Sequence, residues 1–190
     1  MKTDIILSGV GGQGILSIAA VIGEAALANG LYMKQAEVHG MSQRGGDVQS
    51  NLRISTKPIA SDLISKGKAD LIISLEPMEA LRYLPYLKKD GWVVTNVVPF
   101  NNISDYPEIK DIMQEINKLP NKIVINVDEI AKEVGSSRVA NIVLLGATTP
   151  FLGISYDKIA DGIRRIFERK GEDVVNLNLK ALEFGRKAAQ

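Results

Sequence analysis

Four short, nearly continuous apolar runs constrain the fold of this chain more than any other feature: residues 5–7, 71–75, 92–98 and 123–127. None alternates apolar and polar residues in the way that is typical of a strand with one solvated face. Each run is therefore predicted to be a strand covered on both sides, as in a parallel sheet. Segments with helical periodicity lie between the runs, and this order predicts an α/β fold with a mainly parallel, Rossmann-like sheet flanked by helices.

Several further elements are predicted from periodicity and from proline. Pro77 and Pro107 are each predicted at the first position of a helix, where the missing N–H costs nothing. Residues 15–28 are apolar almost all round, which predicts a buried first helix. Residues 48–54 alternate apolar and polar, so they predict a strand near the sheet edge with one exposed face. Residues 156–167 carry one apolar stripe, which predicts an amphipathic helix.

Length and charge limit the function classes. With 190 residues, 45% of them hydrophobic, the chain is predicted to form one domain over residues 1–190. The formal net charge of +1 gives no field that would attract nucleic acid or an anionic membrane. No apolar run approaches the ~20 residues that span a bilayer, and the start of the chain has no basic leader, so a cytoplasmic protein is expected.

Cysteine is absent and histidine occurs once. These counts exclude disulfides, a thiolate-held iron–sulfur cluster and a cysteine-rich zinc site in this chain, and no metal site is predicted. If the protein takes part in redox chemistry, the electrons must travel through another polypeptide.

A glycine turn is the first candidate binding site. Gly9, Gly11, Gly12, Gln13 and Gly14 lie between an apolar strand and the first helix, and they fit the G-x-G-x-x-G pattern. In that setting the unpaired amides at the helix start favour an anion such as a phosphate. The alternative is a tight strand-to-helix crossover that binds nothing.

Glu37 follows this turn at the spacing of ~20 residues that separates a ribose-binding carboxylate from the glycines in nicotinamide-binding folds. A free-standing NAD(P)-binding reductase is therefore one hypothesis. No second domain remains to hold a substrate, however, so this hypothesis stays an alternative. A binding module that senses a nucleotide or coenzyme A is another.

The loop over residues 39–47 is the second candidate site, because loops at the carboxyl ends of strands bind ligands and partners in open α/β sheets. Arg44 offers a planar fork to a phosphate or carboxylate. A surface ion pair for Arg44 and a structural role for the histidine remain open, and Ser42 has no catalytic base in view. We expect this loop to face a partner or an active site through His39, Met41, Ser42, Gln43 and Arg44.

Five stretches of the chain resemble the gamma subunits of 2-oxoacid:ferredoxin oxidoreductases. Residues 9–16 are similar to the opening of these subunits, while residues 37–44 and 74–84 are most similar to the indolepyruvate-specific branch. Residues 141–147 and 176–185 also resemble that branch. Gly45 and Gly46 are more similar to the broader family, which keeps a pyruvate or 2-oxoglutarate enzyme as an alternative.

The resemblance implies a small subunit without catalytic residues of its own. It also implies that the complete enzyme decarboxylates an aryl pyruvate oxidatively with coenzyme A, which yields an acyl-CoA, carbon dioxide and reduced ferredoxin. Thiamine diphosphate and the iron–sulfur clusters belong to a larger catalytic subunit, which is the expected partner, and contacts between two copies of the chain are left open. The resemblance associates gamma domains with coenzyme A binding. The glycine turn is the candidate to meet the phosphates of coenzyme A, because backbone amides at a helix start suit that charge.

Overall fold

The structure, a computed structural model, describes residues 1–39 (His39 by its backbone alone), 45–101 and 103–190. Helices and strands alternate along much of the chain. They are β1 (Lys2–Val10), α1 (Ile15–Ala28), β2 (Tyr32–His39), β3 (Asp47–Ser55), β4 (Ala69–Ser74), α2 (Pro77–Arg82), β5 (Leu87–Asn96), α3 (Ile109–Asn117), β6 (Lys122–Ile125), α4 (Val127–Val134), α5 (Ala140–Thr148), α6 (Tyr156–Phe167) and α7 (Glu172–Ala188).

The described strands form one sheet in the order β2-β3-β1-β4-β5-β6. β1, β4, β5 and β6 run parallel to one another. β3 runs antiparallel to both of its neighbours, β1 and β2. The predicted α/β domain with a mainly parallel sheet is confirmed, and each of the four apolar runs overlaps one of the four parallel strands. We call the side of the sheet where β1, β4 and β5 end the carboxyl edge.

One face of the sheet, here called the α1 face, is covered by α1, α4, α5, α6 and α7. The predicted first helix is confirmed with the predicted bounds, and most of its residues are buried. α5 and α7 approach so closely that a Cβ atom on Gly185 would lie 1.8 Å from the carbonyl oxygen of Val143. A Cβ atom on Gly146 would lie 2.2 Å from the carbonyl oxygen of Leu182. Both stretches at residues 141–147 and 176–185 therefore belong to one helix pair.

The opposite face, here called the α2 face, has a thinner cover. It is covered by α2, with α3 packed beside it, and by the segment that joins β3 to β4. Its buried cluster is small and centres on Ile6, Ile72 and Val93, which pack against Ala80 and Tyr83.

Residues 48–54 form a strand, as predicted, but the prediction that one face of this strand is exposed was wrong. β3 lies next to the edge strand β2, and its polar residues are covered by chain from elsewhere. Asn51 is 2% exposed, and its side-chain oxygen accepts a hydrogen bond from the amide of Ile64 at 3.1 Å. Arg53 donates to both carboxylate oxygens of Asp4 and to the carbonyl of Ser61. Polar alternation here marks a buried hydrogen-bonding face.

The two predicted proline helix starts had different outcomes. Pro77 is the first residue of α2, as predicted. Pro107 is not helical, because Glu108 has an extended backbone (ψ 127°) and α3 begins only at Ile109. The predicted amphipathic helix is α6, which buries Ile159 and Ile163.

Candidate functional site

The glycine turn joins β1 to α1 at the carboxyl edge. The amide of Gln13 donates to the carbonyl of Val10 at 3.1 Å, which closes the turn. Gly12 and Gly14 have φ angles of 105° and 86°, a region that side chains with a Cβ atom rarely adopt. The strand, turn and helix predicted around this motif are therefore present, and two of its glycines are required by backbone conformation.

The side chain of Gln13 is engaged within the protein. Its Oε1 accepts from the amide of Val10 at 2.7 Å, and its Nε2 donates to the carbonyl of Leu75 at 3.2 Å. The side chain thus links the glycine turn to the end of β4. A ligand at the turn would have to meet other groups.

Three amides of the turn remain available. Within the described chain, the N–H groups of Gly12, Gly14 and Ile15 have no hydrogen-bond acceptor. The amide of Gly11, in contrast, donates to the carbonyl of Gly46 at 2.9 Å. Unpaired amides at the start of a 14-residue helix favour a negatively charged group.

A cleft of about 270 Å³, here called the edge cleft, opens beside these amides. It lies between the glycine turn, residues 96–100 at the end of β5 and just beyond it, and the starts of α4 and α5. Its charged lining residues are Asp128, which accepts a hydrogen bond from Asn96, and Arg138, which is exposed and makes no ion pair with any described residue. Asn141 donates to the carbonyl of Gly14 at 3.1 Å and so fixes α5 against the turn.

The second candidate site lies partly outside the described residues. His39 ends β2, opposite Val48 of β3, but its side chain is not described, and neither are Met41, Ser42, Gln43 and Arg44. The end of the loop is described: the amide of Gly45 donates to the carbonyl of Gly11 at 3.4 Å, and Gly46 accepts from the amide of Gly11. The prediction that the loop and the glycine turn meet at the carboxyl edge is confirmed at Gly45 and Gly46.

Glu37 does not have the neighbourhood that a ribose-binding carboxylate requires. β3 separates β2 from β1, so Glu37 lies two strands away from the glycine turn. In nicotinamide-binding sheets the strand that carries this carboxylate is adjacent to the first strand. Glu37 instead accepts a hydrogen bond from Gln35 at 2.7 Å.

Sequence analysis missed Glu76, which joins two parts of the carboxyl edge. Its carboxylate is fully buried at the start of α2, where it accepts from the amide of Glu79 at 2.8 Å. The same carboxylate accepts from the amide of Phe100 at 3.3 Å and from the hydroxyl of Tyr106. Burial and this hydrogen bond raise the pKa of Tyr106 above its ordinary value. The signal in the sequence was a carboxylate directly after a continuous apolar strand.

α2 also holds the start of β3. The hydroxyl of Tyr83 donates to Asp47 at 3.2 Å, and burial together with the charge of Asp47 raises the pKa of Tyr83. Burial likewise raises the pKa of Glu79, although the ion pair with Arg82 at 2.8 Å opposes the shift. Both contacts lie near Asp47, the first residue of β3.

Within residues 1–39, 45–101 and 103–190, no group of three His, Cys, Asp or Glu side chains is arranged to hold a metal ion. No helix in that part of the chain is long and apolar enough to cross a membrane.

Comparisons with known proteins agree with one another. A family model described as pyruvate ferredoxin/flavodoxin oxidoreductase matches residues 4–188. The chain is 38% identical to the indolepyruvate oxidoreductase subunit IorB of Archaeoglobus fulgidus, over 97% of this chain and 94% of that protein. Among solved structures, the gamma subunit of a keto/oxoacid ferredoxin oxidoreductase from Geobacter sulfurreducens matches with a TM-score of 0.72 and 28% identity, over 98% of each chain.

A second solved structure is similar in fold. The 2-oxoglutarate:ferredoxin oxidoreductase from Magnetococcus marinus, with 2-oxoglutarate, coenzyme A and succinyl-CoA bound, matches 99% of this chain with a TM-score of 0.76 and 22% identity. The match covers 31% of that longer polypeptide. At this identity the likeness concerns the fold alone.

Proposed function

The chain belongs to the pyruvate ferredoxin/flavodoxin oxidoreductase family, and from this premise we propose that it is the small, non-catalytic subunit of an indolepyruvate oxidoreductase and holds part of coenzyme A at its glycine turn. Membership of a 2-oxoacid:ferredoxin oxidoreductase complex rests on matches over nearly the whole chain. The indolepyruvate substrate is supported by the 38% identity to an IorB subunit. A pyruvate or 2-oxoglutarate complex is the alternative.

The proposed complex decarboxylates an aryl pyruvate oxidatively. The 2-oxoacid loses carbon dioxide, its acyl group is joined to the thiol of coenzyme A, and two electrons pass to ferredoxin. Thiamine diphosphate and the iron–sulfur clusters would belong to a larger catalytic subunit, because this chain has no cysteine to hold a cluster. The isolated chain should therefore be colourless and inactive. A cytoplasmic location stays a prediction.

The observation that best supports a coenzyme A contact is the group of three available amides at Gly12, Gly14 and Ile15. The cleft beside these amides is also lined by Arg138, whose guanidinium makes no ion pair with any described residue. Amides at a helix start and a guanidinium are donors that suit phosphate oxygens. A cleft of about 270 Å³ is below the ~300–1,000 Å³ of pockets that enclose a whole drug-sized ligand. It would therefore take a phosphate-bearing part of coenzyme A.

Gly12→Ala tests this contact. The substitution meets no atom within 4 Å but forces a Cβ atom onto a φ of 105°, at a cost of about 1–2 kcal/mol. Gly171→Ala is the matched control, since Gly171 also has a positive φ of 96° and empty surroundings but lies directly before α7. In the complex reconstituted with the large subunit, Gly12→Ala should raise the KM for coenzyme A about tenfold, and Gly171→Ala should not. Equal kinetics for the two variants would remove the turn from the site.

The loop after β2 is proposed to contact the large subunit. Arg44→Ala should weaken association of the two subunits at least about tenfold, because a charged interface contact typically contributes more than ~1.4 kcal/mol. The control is Arg169→Ala, because Arg169 is exposed and lies just after α6. It should leave the affinity between the two subunits unchanged. Wild-type affinity for the Arg44 variant would contradict the assignment.

The substrate is tested directly on the wild-type complex. Reduction of ferredoxin should be fastest with indolepyruvate or phenylpyruvate and slow with pyruvate or 2-oxoglutarate. The NAD(P)-binding alternative is tested by titrating the lone chain with NADH. The separation of Glu37 from the glycine turn by β3 argues against tight binding.

A further inference from the structure

The carboxylate of Glu76 does more than cap α2. One oxygen accepts from the amide of Glu79 and satisfies the helix start. The other accepts from the amide of Phe100 and from the hydroxyl of Tyr106, which lie 24 and 30 residues farther along the chain. A single side chain thus joins the start of α2 to the segment that follows β5.

The choice of glutamate at this position is informative. Helix starts prefer Ser, Thr, Asp or Asn, whose short side chains reach the third amide of the helix. Glutamate is one methylene longer than aspartate, and the added length lets the same carboxylate reach Phe100 and Tyr106. Glu76 is fully buried and pairs with no basic side chain in the described residues, an arrangement that is unfavourable unless donors compensate it. Capping alone does not require this burial.

The segment held by Glu76 forms a wall of the edge cleft. Val98, Pro99 and Phe100 line the cleft together with Gly12 and Gln13 of the glycine turn. The glycine turn is also anchored next to Glu76, because the side chain of Gln13 donates a hydrogen bond to the carbonyl of Leu75. The separation between the two walls therefore depends on contacts that meet at residues 75 and 76.

We infer that Glu76 is a positioning residue: through Phe100 and Tyr106 it fixes the wall at residues 98–100 against the glycine turn and so sets the affinity of the edge cleft for its ligand. This inference rests on the proposed function in one respect, since the ligand used to measure that affinity is coenzyme A. The holding of the wall itself is measurable without any ligand.

Two variants separate positioning from capping. Glu76→Asp keeps the charge and a preferred helix cap, but shortens the reach toward Phe100 and Tyr106. Tyr106→Phe leaves Glu76 intact and removes the hydroxyl that donates to it. The matched control is Tyr156→Phe, which makes the same chemical change on α6, where the ring contacts Arg186 and the hydroxyl makes no hydrogen bond with the described chain.

The experiment measures two quantities on the reconstituted complex. Hydrogen exchange of peptides that contain Phe100 and Tyr106 reports the wall, and steady-state kinetics report the KM for coenzyme A, the KM for the 2-oxoacid and kcat. Glu76→Asp and Tyr106→Phe should speed exchange in these peptides and raise the KM for coenzyme A about tenfold, with kcat within about twofold. The KM for the 2-oxoacid should not change, and Tyr156→Phe should behave as wild type.

The outcomes separate this inference from the proposed function. Unchanged exchange at Phe100 in both variants overturns the inference. If Gly12→Ala raises the KM for coenzyme A while neither Glu76→Asp nor Tyr106→Phe does, the proposed site stands and the inference is wrong. If exchange quickens but none of the three variants changes that KM, the proposed coenzyme A site is wrong, and with it the ligand named here.

Discussion

The two faces of the sheet use the same strands but different chemistry. On the α1 face, one row across three parallel strands is entirely apolar and buried: Leu7, Ile73 and Val94. One residue farther along, the row on the α2 face is entirely polar and equally buried: Ser8, Ser74 and Thr95. The hydroxyl of Ser8 has no hydrogen-bond partner among the described residues.

This difference separates stability from organisation of the candidate site. The α1 face buries a large apolar cluster under five helices, so most of the hydrophobic stabilisation arises there. The α2 face buries few apolar residues and connects its parts by polar contacts, among them those of Arg53, Glu76 and Tyr83. Polar contacts are directional, and those of Glu76 and Tyr83 are suited to fixing loops at the carboxyl edge.

The largest effect is expected on the α1 face. Gly185→Ala would bring a Cβ atom to 1.8 Å from a backbone oxygen of α5, so α5 and α7 must separate, at a cost of about 3 kcal/mol or more. The control is Gly23→Ala in α1, where the added atom meets only the flexible end of Met33 at 2.8 Å. Chemical denaturation of the purified chain measures both. Equal stability of the two variants would show that the helix contact is not as close as described.

A smaller effect is expected for Arg53→Ala on the α2 face. Among the described residues, the variant leaves the fully buried Asp4 with only the half-exposed Lys2 as an ionic partner, and it should cost about 2–3 kcal/mol. Arg165→Ala breaks an ion pair with Glu24 on the outside of the α1 face, where both side chains are exposed or nearly so. That control should lose less than about 1 kcal/mol. Similar losses for the two would show that burial of the Arg53–Asp4 pair does not increase its contribution to stability.

The buried ion pair between Asp4 and Arg53 also predicts that stability depends on pH. Burial alone would raise the pKa of Asp4, but hydrogen bonds from Arg53 and Lys2 and their charges outweigh burial and lower the pKa. A carboxylate with a lowered folded-state pKa stabilises the protein above its unfolded pKa of about 4, and this contribution is lost as the pH falls toward the folded-state value. The melting temperature of the wild type should exceed that of Asp4→Asn near pH 7, and the difference should shrink below about pH 4. A difference that stays constant with pH would exclude this linkage.

Much of the fold follows from local pattern. The parallel strands were predictable because residues buried on both faces leave a continuous apolar run, as in residues 71–75. The glycine turn was predictable because positions such as Gly12 and Gly14 require a backbone conformation that favours glycine. In both cases the signal lies within a few neighbouring residues.

The rest depends on contacts distant in sequence. Asn51 and Arg53 have the pattern of a solvated face, and only the arrival of Asp4 and the segment near Ile64 makes that face buried. Glu76 likewise acquires its partners from the segment after β5. No periodicity within either stretch records these contacts, which explains why the α2 face was predicted less well than the α1 face.

The smallest expected effect concerns the contact between α2 and the start of β3. Tyr83→Phe removes a hydroxyl that donates to the exposed carboxylate of Asp47 at 3.2 Å, and the cost to stability should be about 1 kcal/mol or less. The local effect should be larger, because Asp47 directly follows the two glycines that pair with the glycine turn. Hydrogen exchange in peptides that contain Asp47 should therefore quicken in Tyr83→Phe.

Tyr86→Phe is the control for this prediction, since its hydroxyl has no hydrogen-bond partner in the described chain and its ring packs at 6.1 Å from that of Tyr83. If both variants leave exchange at Asp47 unchanged, the contact does not hold the start of β3, and the α2 face organises the carboxyl edge through Glu76 alone. If Tyr83→Phe loses several kcal/mol, the contact between Tyr83 and Asp47 contributes to global stability and not only to the local position of β3. A local change with little global loss is the result that keeps the two faces distinct.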